Sequence, residues 1–207
     1  MPRAHLGPAS RSFSESPRLP GYPSPVRIYT KRGDDGTTGL LHGGRISKAD
    51  PAAEAYGSVD ETVATLGVAR ALATDAEARS VILRLQRELF VVGADLATNP
   101  AGRSKLKPGV SLVTADMAEA LERLIDRTVE AHPLPEEFVI AGANPVSAAL
   151  DVARTAARRA ERRSVEMRDR GGTVTPEVLR YLNRLSDLLF VLARWQAGAP
   201  EEPSRER

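Results

Sequence analysis

The chain has 207 residues, 42% hydrophobic and 27% charged, with 29 Lys+Arg against 27 Asp+Glu for a net charge of +2. That is the make-up of a soluble globular protein with about one domain, and the balance demands no nucleic-acid or membrane partner. Cysteine is absent and His5, His42 and His132 lack metal-ligand spacing, which excludes disulfides, thiolate centres and a cysteine nucleophile and argues against a zinc hydrolase.

Residues 1–25 are rich in proline, serine and arginine, with Glu15 the only acid. An organellar transit peptide shares that bias, but Pro8, Pro17, Pro20, Pro23 and Pro25 break any amphipathic helix, so a disordered leader is expected. Val26–Thr30 alternates apolar and polar but is too short to found a sheet. A glycine-rich loop follows from Lys31 to Gly44.

Beyond Asp50 the pattern is helical. Asp50-Pro51 supplies a capping acceptor and then a first-turn proline, and Tyr56, Val59, Val63 and Leu66 form one stripe. Thr74 and Glu77 have capping-box spacing ahead of the stripe Ile82, Leu85, Leu89, Val92 and Leu96. Asn99-Pro100-Ala101-Gly102 ends that helix, and a polar loop runs to Val113. Thr114 can cap a third helix carrying Met117, Leu121, Leu124 and Val129. Asn144-Pro145 starts a fourth that reaches Gly171-Gly172. Thr175-Pro176 starts a fifth, with Leu182, Leu185, Leu189 and Leu192 inward and a stop at Gly198. Five amphipathic helices of roughly 17–26 residues, about 25–40 Å long, predict an all-α bundle over 26–197, with 198–207 a flexible tail. No apolar run of about 18 residues occurs, so no spanning helix is expected and the protein is placed in the cytoplasm.

Three segments stand out chemically. In Thr30–Gly39 glycines recur every third position among hydroxyls and acids, behind Lys31 and Arg32. Such a loop can turn its N–H groups toward an anion, and Asp34 or Asp35 can hold magnesium; equally, it can be a glycine-rich surface turn. A Walker A match from Gly39 fails because Arg45 and Ile46 occupy its Lys and Ser/Thr places. On a helix, Arg154, Arg158, Glu161 and Arg162 crowd one face, while Ala153, Ala156, Ala157 and Ala160 keep the neighbouring surface small. Crowded guanidiniums repel unless phosphate or carboxylates neutralise them, so the row is either a polyphosphate grip or a solvated basic face. Asn183 and Asp187 lie four apart, opposite the leucines of the fifth helix.

Together, YTKRGDDGTTGL (29–40), the Arg45…Lys48 pair, AYGSVDE (55–61), ARTAARRAERR (153–163) and YLNRLSDLLFVLAR (181–194) resemble the PduO-type ATP:cob(I)alamin adenosyltransferases. The resemblance implies a five-helix bundle assembled as a homotrimer with active sites at subunit interfaces. It also implies transfer of the 5′-deoxyadenosyl group of ATP to the cobalt of reduced cobalamin, with magnesium present and triphosphate released. Carried over by position, Thr30, Lys31, Arg32, Gly33, Thr38, Gly39 and Lys48 form the nucleotide loop. Arg158, Arg159, Glu161, Arg162 and Asn183 are the helical part of the ATP site. Asp60 and Arg154 correspond to an ion pair across the interface that serves the chemistry as well as assembly, so that with Arg158 they are the implied catalytic residues. Phe138 corresponds to the aromatic that keeps the corrinoid base off cobalt. An electron-donating reductase and hand-over to an adenosylcobalamin-dependent enzyme are implied partners. Asp151 stands where many relatives carry histidine, and Ala141–Pro145 is less serine- and glycine-rich than the usual loop. A simple ATP hydrolase, and a helical nucleic-acid-binding module with Arg154–Arg163 exposed, are the rival readings; neither uses a corrinoid.

Overall fold

The computed structural model describes residues 29–198 and 201–205. The chain divides into two units, Met1–Lys31 and Arg32–Arg207. The leader 1–25 and most of the Val26–Thr30 alternation lie outside the described residues. Tyr29, Thr30 and Lys31 belong to the first unit; all three are exposed and outside any strand, and Lys31 has φ 60°.

The second unit is dominated by five α-helices: α1 (Pro51–Leu72), α2 (Ala76–Leu96), α3 (Ala115–Ala131), α4 (Pro145–Asp169) and α5 (Pro176–Ala197). They pack in the spatial order α2, α1, α4, α5, α3, so α4 lies between α1 and α5. The leucine and isoleucine stripes meet inside: Leu66, Ile82, Leu85, Leu89, Leu121, Leu150, Leu182, Leu185 and Leu189 are all buried. Burial of each such side chain contributes about 1.5–3 kcal/mol. Ala153, Ala156, Ala157 and Ala160 on α4 are buried as well, and their small volume lets the helices on either side come close.

The starts of α1, α4 and α5 fall where the Asp-Pro, Asn-Pro and Thr-Pro pairs predict. Asp50, Asn144 and Thr175 each accept a hydrogen bond from a first-turn N–H. Asn144 does more. Its carboxamide accepts from Ser147 in a capping box and donates to the carbonyls of Gln196 (2.7 Å) and Ala197 (3.2 Å). One side chain thereby satisfies the start of α4 and the end of α5. Gly198 then closes α5 with φ 67°.

Four local features differ from the sequence reading. The cap of α2 is Asp75, which accepts from Ala78, rather than Thr74; the carboxylate is the stronger acceptor for an N-terminal N–H. Thr114 precedes α3 but makes no side-chain cap bond. The stretch after α2 contains a 3-10 helix, Pro100–Lys105, anchored because buried Asp95 accepts from both Arg103 (2.7 Å) and the Val113 N–H (3.0 Å). The glycine-rich loop forms a small antiparallel ribbon, β1 (Thr37–Gly39) with β2 (Arg45–Ser47).

The C-terminal tail also differs from expectation. Residues expected to fray are paired with the segment joining α3 and α4: Ile140 N–H donates to Glu202 O (2.8 Å), and Ser204 N–H donates to Phe138 O (2.7 Å). Val139 and Pro203 form an antiparallel bridge. No helix among the described residues is long and apolar enough to cross a membrane.

Candidate active site

The ribbon organises the glycine-rich loop around Arg45. Its guanidinium donates to Thr37 Oγ1 and to the Arg32 carbonyl and lies 3.7 Å from Asp35. Asp35 in turn accepts from the Thr37 N–H and hydroxyl, and those bonds hold its carboxyl below the usual range. Gly36 turns with φ 81°, its N–H donating to Gly33 O and its carbonyl accepting from Lys48 N–H. Gly33 is a point of close approach. A Cβ there would meet Thr37 O at 3.1 Å and Lys48 Nζ at 3.3 Å, so glycine lets the Lys48 ammonium lie against the loop backbone. Thr38 is half-buried within β1, and Gly39 ends it exposed. At its far side the loop is tied to the end of α2, through Leu41 N–H to Ala97 O and Asn99 Nδ2 to Gly43 O. The loop is thus a fixed cationic turn.

The arginine row of α4 is split by its neighbours. Arg159 pairs with Glu61 of α1, and Arg163 with Glu54 of α1 and Glu166. Arg154 is held by Asp151 at 3.1 Å. Glu161 accepts from Asn183 of α5 at 3.2 Å, which joins the two helices at the expected place. Arg158 and Arg162 are exposed and pair with no carboxylate among the described residues. Five cations that would repel one another are resolved into three neutralised ones, Arg159 and Arg163 facing α1 and Arg154 held within α4, and two that still lack a counter-ion.

Arg158 and Arg154 line a cleft of about 680 Å³ between α3, α4, α5 and the segment before α4. One wall is apolar, with Ile125, Val129, Leu134, Phe138, Val139 and Phe190. Phe138 is 85% exposed, projecting at the edge. Polar groups occupy the other side: Arg184 binds Glu122 (3.0 Å) and Asn183 Oδ1 (2.9 Å), and those bonds from Arg184 and Arg180 keep Glu122 ionised below its usual range. Arg194 is buried at the cleft, held by Asp151 and by Glu201 of the tail.

The structure therefore brings together Gly33 with Lys48, Glu161 with Asn183, and Arg154, Arg158 and Phe138 around one cleft. It does not bring Asp60 to Arg154 within one chain. Asp60 lines a separate apolar hollow with Leu41, Tyr56, Val63 and Phe90. Nor does any residue of the glycine-rich loop line the Arg158 cleft. Sequence reasoning passed over Arg45, Arg184, Arg194 and Glu201. Arg45 was within reach because it shares a motif with Lys48. The role of Glu201 depends on a contact made by the tail alone and has no local signal.

Residues 28–196 match the cobalamin adenosyltransferase family. The chain belongs to that family. It is 46% identical over 175 residues to a corrinoid adenosyltransferase of Citrobacter freundii, spanning 84% of this chain and 97% of that one. It is 42% identical over 173 residues to one of Mycobacterium tuberculosis, covering 82% and 88%. Among solved structures it is similar to a variant PduO-type ATP:corrinoid adenosyltransferase from Lactobacillus reuteri complexed with cobalamin and ATP. That likeness has a TM-score of 0.79 and 32% identity, covering 87% of this chain and all of the other. Another variant of that enzyme, complexed with ATP, matches with a TM-score of 0.77 and 33% identity.

Proposed function

We propose that this protein transfers the 5′-deoxyadenosyl group of ATP to the cobalt of cob(I)alamin or a related corrinoid, forming adenosylcobalamin and releasing triphosphate. Family membership and the relatives that bind cobalamin and ATP support the reading. The observation that carries it is Arg158: a cation without a carboxylate partner among the described residues, placed on the rim of an apolar cleft beside Phe138. Such a rim suits a polyanion on one side and a flat hydrophobic macrocycle on the other.

The complete site is proposed to form between copies in a homotrimer. The loop residues Thr30, Lys31, Arg32, Gly33, Thr38, Gly39 and Lys48 of one copy would meet Arg158, Arg159, Glu161, Arg162 and Asn183 of the next. Two observations support this arrangement. The cleft lacks any wall from its own loop. The apolar α1–α2 hollow that Asp60 lines also exposes Leu41 and Phe90, at 39% and 67%, apolar surface of the kind that interfaces cover. Asp60 would then pair with Arg154 across the boundary.

In the reaction the electron pair of Co(I) attacks C5′ and becomes the Co–C bond, while the bonding pair of C5′–O leaves on the triphosphate oxygen. Arginine forks aimed at that oxygen stabilise charge as it grows, and the cleft aligns the three atoms. Phe138 excludes a lower axial ligand and water from cobalt, which raises the reduction potential and eases electron delivery by a reductase. The described residues contain no cluster of three or more potential metal ligands. Magnesium is read as an ion carried on the triphosphate, with exposed Asp34 and Asp35 the carboxylates of the loop. The direct test mixes protein, ATP, magnesium and chemically reduced cobalamin. ATP-dependent conversion to the adenosylcobalamin spectrum is expected; its absence with correctly folded protein refutes the proposal.

A further inference from the structure

We infer that the C-terminal segment Glu201–Ser204 is a strap that holds the Phe138 wall of the cleft in place, and that Glu201 is the positioning residue that seats it. The inference rests on the proposed reaction only for what the wall is for; the strap itself is read from contacts.

The segment from Pro133 to Ala143 joins α3 to α4 without a helix or strand of its own and is mostly exposed. Nothing in its sequence fixes the direction of Phe138, whose ring stands 85% exposed. A side chain that works by filling space beside a metal needs its backbone held, because a shift of about 1 Å at the reacting centre costs about 100-fold in rate. The strap supplies that hold. Its Ser204 N–H binds the Phe138 carbonyl, its Glu202 carbonyl takes the Ile140 N–H, and Pro203 bridges Val139 between them. The hydrogen bonds fall on alternate residues either side of Val139, as in a short antiparallel ladder.

The strap is seated by one buried polar contact. The Glu201 side chain is 5% exposed and lies 2.8 Å from Arg194 Nε, whose side chain is equally buried. Arg194 also binds Asp151 of α4 and stacks over the Phe190 ring at 5.3 Å. Asp151, Arg194, Phe190, Val139 and Phe138 all line the cleft. One guanidinium thus ties the strap to α4 and α5, while the strap ties down the wall opposite. The Glu201 contact is an ion pair without hydrogen-bond alignment, and Glu201 Oε1 is buried with no partner among the described residues. Burial raises the Glu201 pKa and Asp151 adds to the rise, with Arg194 opposing it. Arg194 keeps Asp151 as its counter-ion when Glu201 is made neutral, so a neutral side chain of the same shape is tolerated in the seat, whereas a cation facing Arg194 is not.

Three variants separate the outcomes: truncation after Gly198, Glu201→Lys and Glu201→Gln. Two readouts are taken on the full protein, after thermal melts show each variant folded. Hydrogen–deuterium exchange of the Ile140 amide should quicken about tenfold in the truncation and in Glu201→Lys, as loss of one anchored hydrogen bond allows. It should stay within about twofold of the parent in Glu201→Gln. With ATP and cob(II)alamin, the four-coordinate signal in electron paramagnetic resonance should fall about tenfold in the first two variants, with ATP affinity within about twofold. If exchange and signal are unchanged by both truncation and Glu201→Lys, the strap is refuted. If exchange quickens but the intact protein gives no ATP-dependent cob(II)alamin signal, the strap stands and the proposed reaction falls.

Discussion

Arg158→Ala is the substitution that most sharply tests the site. Within the chain Arg158 is exposed and bonded to no carboxylate among the described residues, so its removal breaks no ion pair and opens no cavity. The expected change in stability is within about 0.5 kcal/mol, the ordinary range for a surface position. The kinetic effect has a different origin. In the proposed complex its fork meets a triphosphate whose charge grows during the reaction, and loss of one such preorganised donor costs about 2.7–4 kcal/mol, or 100- to 1,000-fold in kcat. Arg158→Lys keeps the charge but loses the planar fork, so it should recover roughly one of those factors of ten. The contrast with Arg159 is informative. Arg159 is engaged by Glu61 of α1 in a half-exposed pair worth at most about 1 kcal/mol, so Arg159→Ala should lower stability slightly along with turnover. Adenosylation followed by absorbance, thermal melts and light scattering separate these effects. Arg158→Ala with near-normal turnover, or with a melting temperature as depressed as that of Arg159→Ala, would refute the reasoning.

Phe138→Ala should abolish the four-coordinate cob(II)alamin signal while ATP affinity holds, because its ring lines the apolar wall and touches no loop residue in the cleft; paired titration and paramagnetic resonance check it. Asn144→Ala removes the cap of α4 and the two donors to the end of α5. It should cost about 2 kcal/mol, a fall of roughly 4–8 °C in Tm. Tyr181 is buried and its hydroxyl donates to Glu88 at 2.8 Å; burial first, and then the Glu88 charge, push its pKa well above the ordinary 10.0. Above pH 10.0 the unfolded chain loses this proton while the folded one keeps it, so stability falls as pH rises. Tyr181→Phe should flatten that alkaline slope in melts across the window, and an unchanged slope would show that another group carries it.

The bundle was legible because its instructions are local. Proline after a capping residue fixes the starts of α1, α4 and α5, and leucines at alternating steps of three and four fix the buried faces of α2 and α5. The cap of α2 was not, since threonine and aspartate both cap, Thr74 alone has capping-box spacing to Glu77, and the backbone turn nevertheless selects Asp75. The arginine face of α4 was also legible as a crowd of cations needing neutralisation. Which of them are neutralised was not, because Glu54 and Glu61 sit on α1 and meet the row only once the helices pack. The strap escaped for the same reason, while the ribbon was hidden because its strands are only three residues long within a glycine-rich run. Pro203 pairs with Val139, and nothing near either residue announces the other.

The alanines of α4 carry a consequence for how this enzyme family member can change. Leu and Met side chains in a helix seam have alternative rotamers and let a helix roll or slide as neighbours repack, but alanine has none to offer. With Ala153, Ala156, Ala157 and Ala160 all buried against other helices, α4 behaves as a stiff rail. The roots of its guanidiniums stay where the backbone puts them, and adjustment to a differently shaped anion falls on the long side chains alone. A bulkier residue at any of these four positions would displace the whole charged row at once, rather than retune one contact within it.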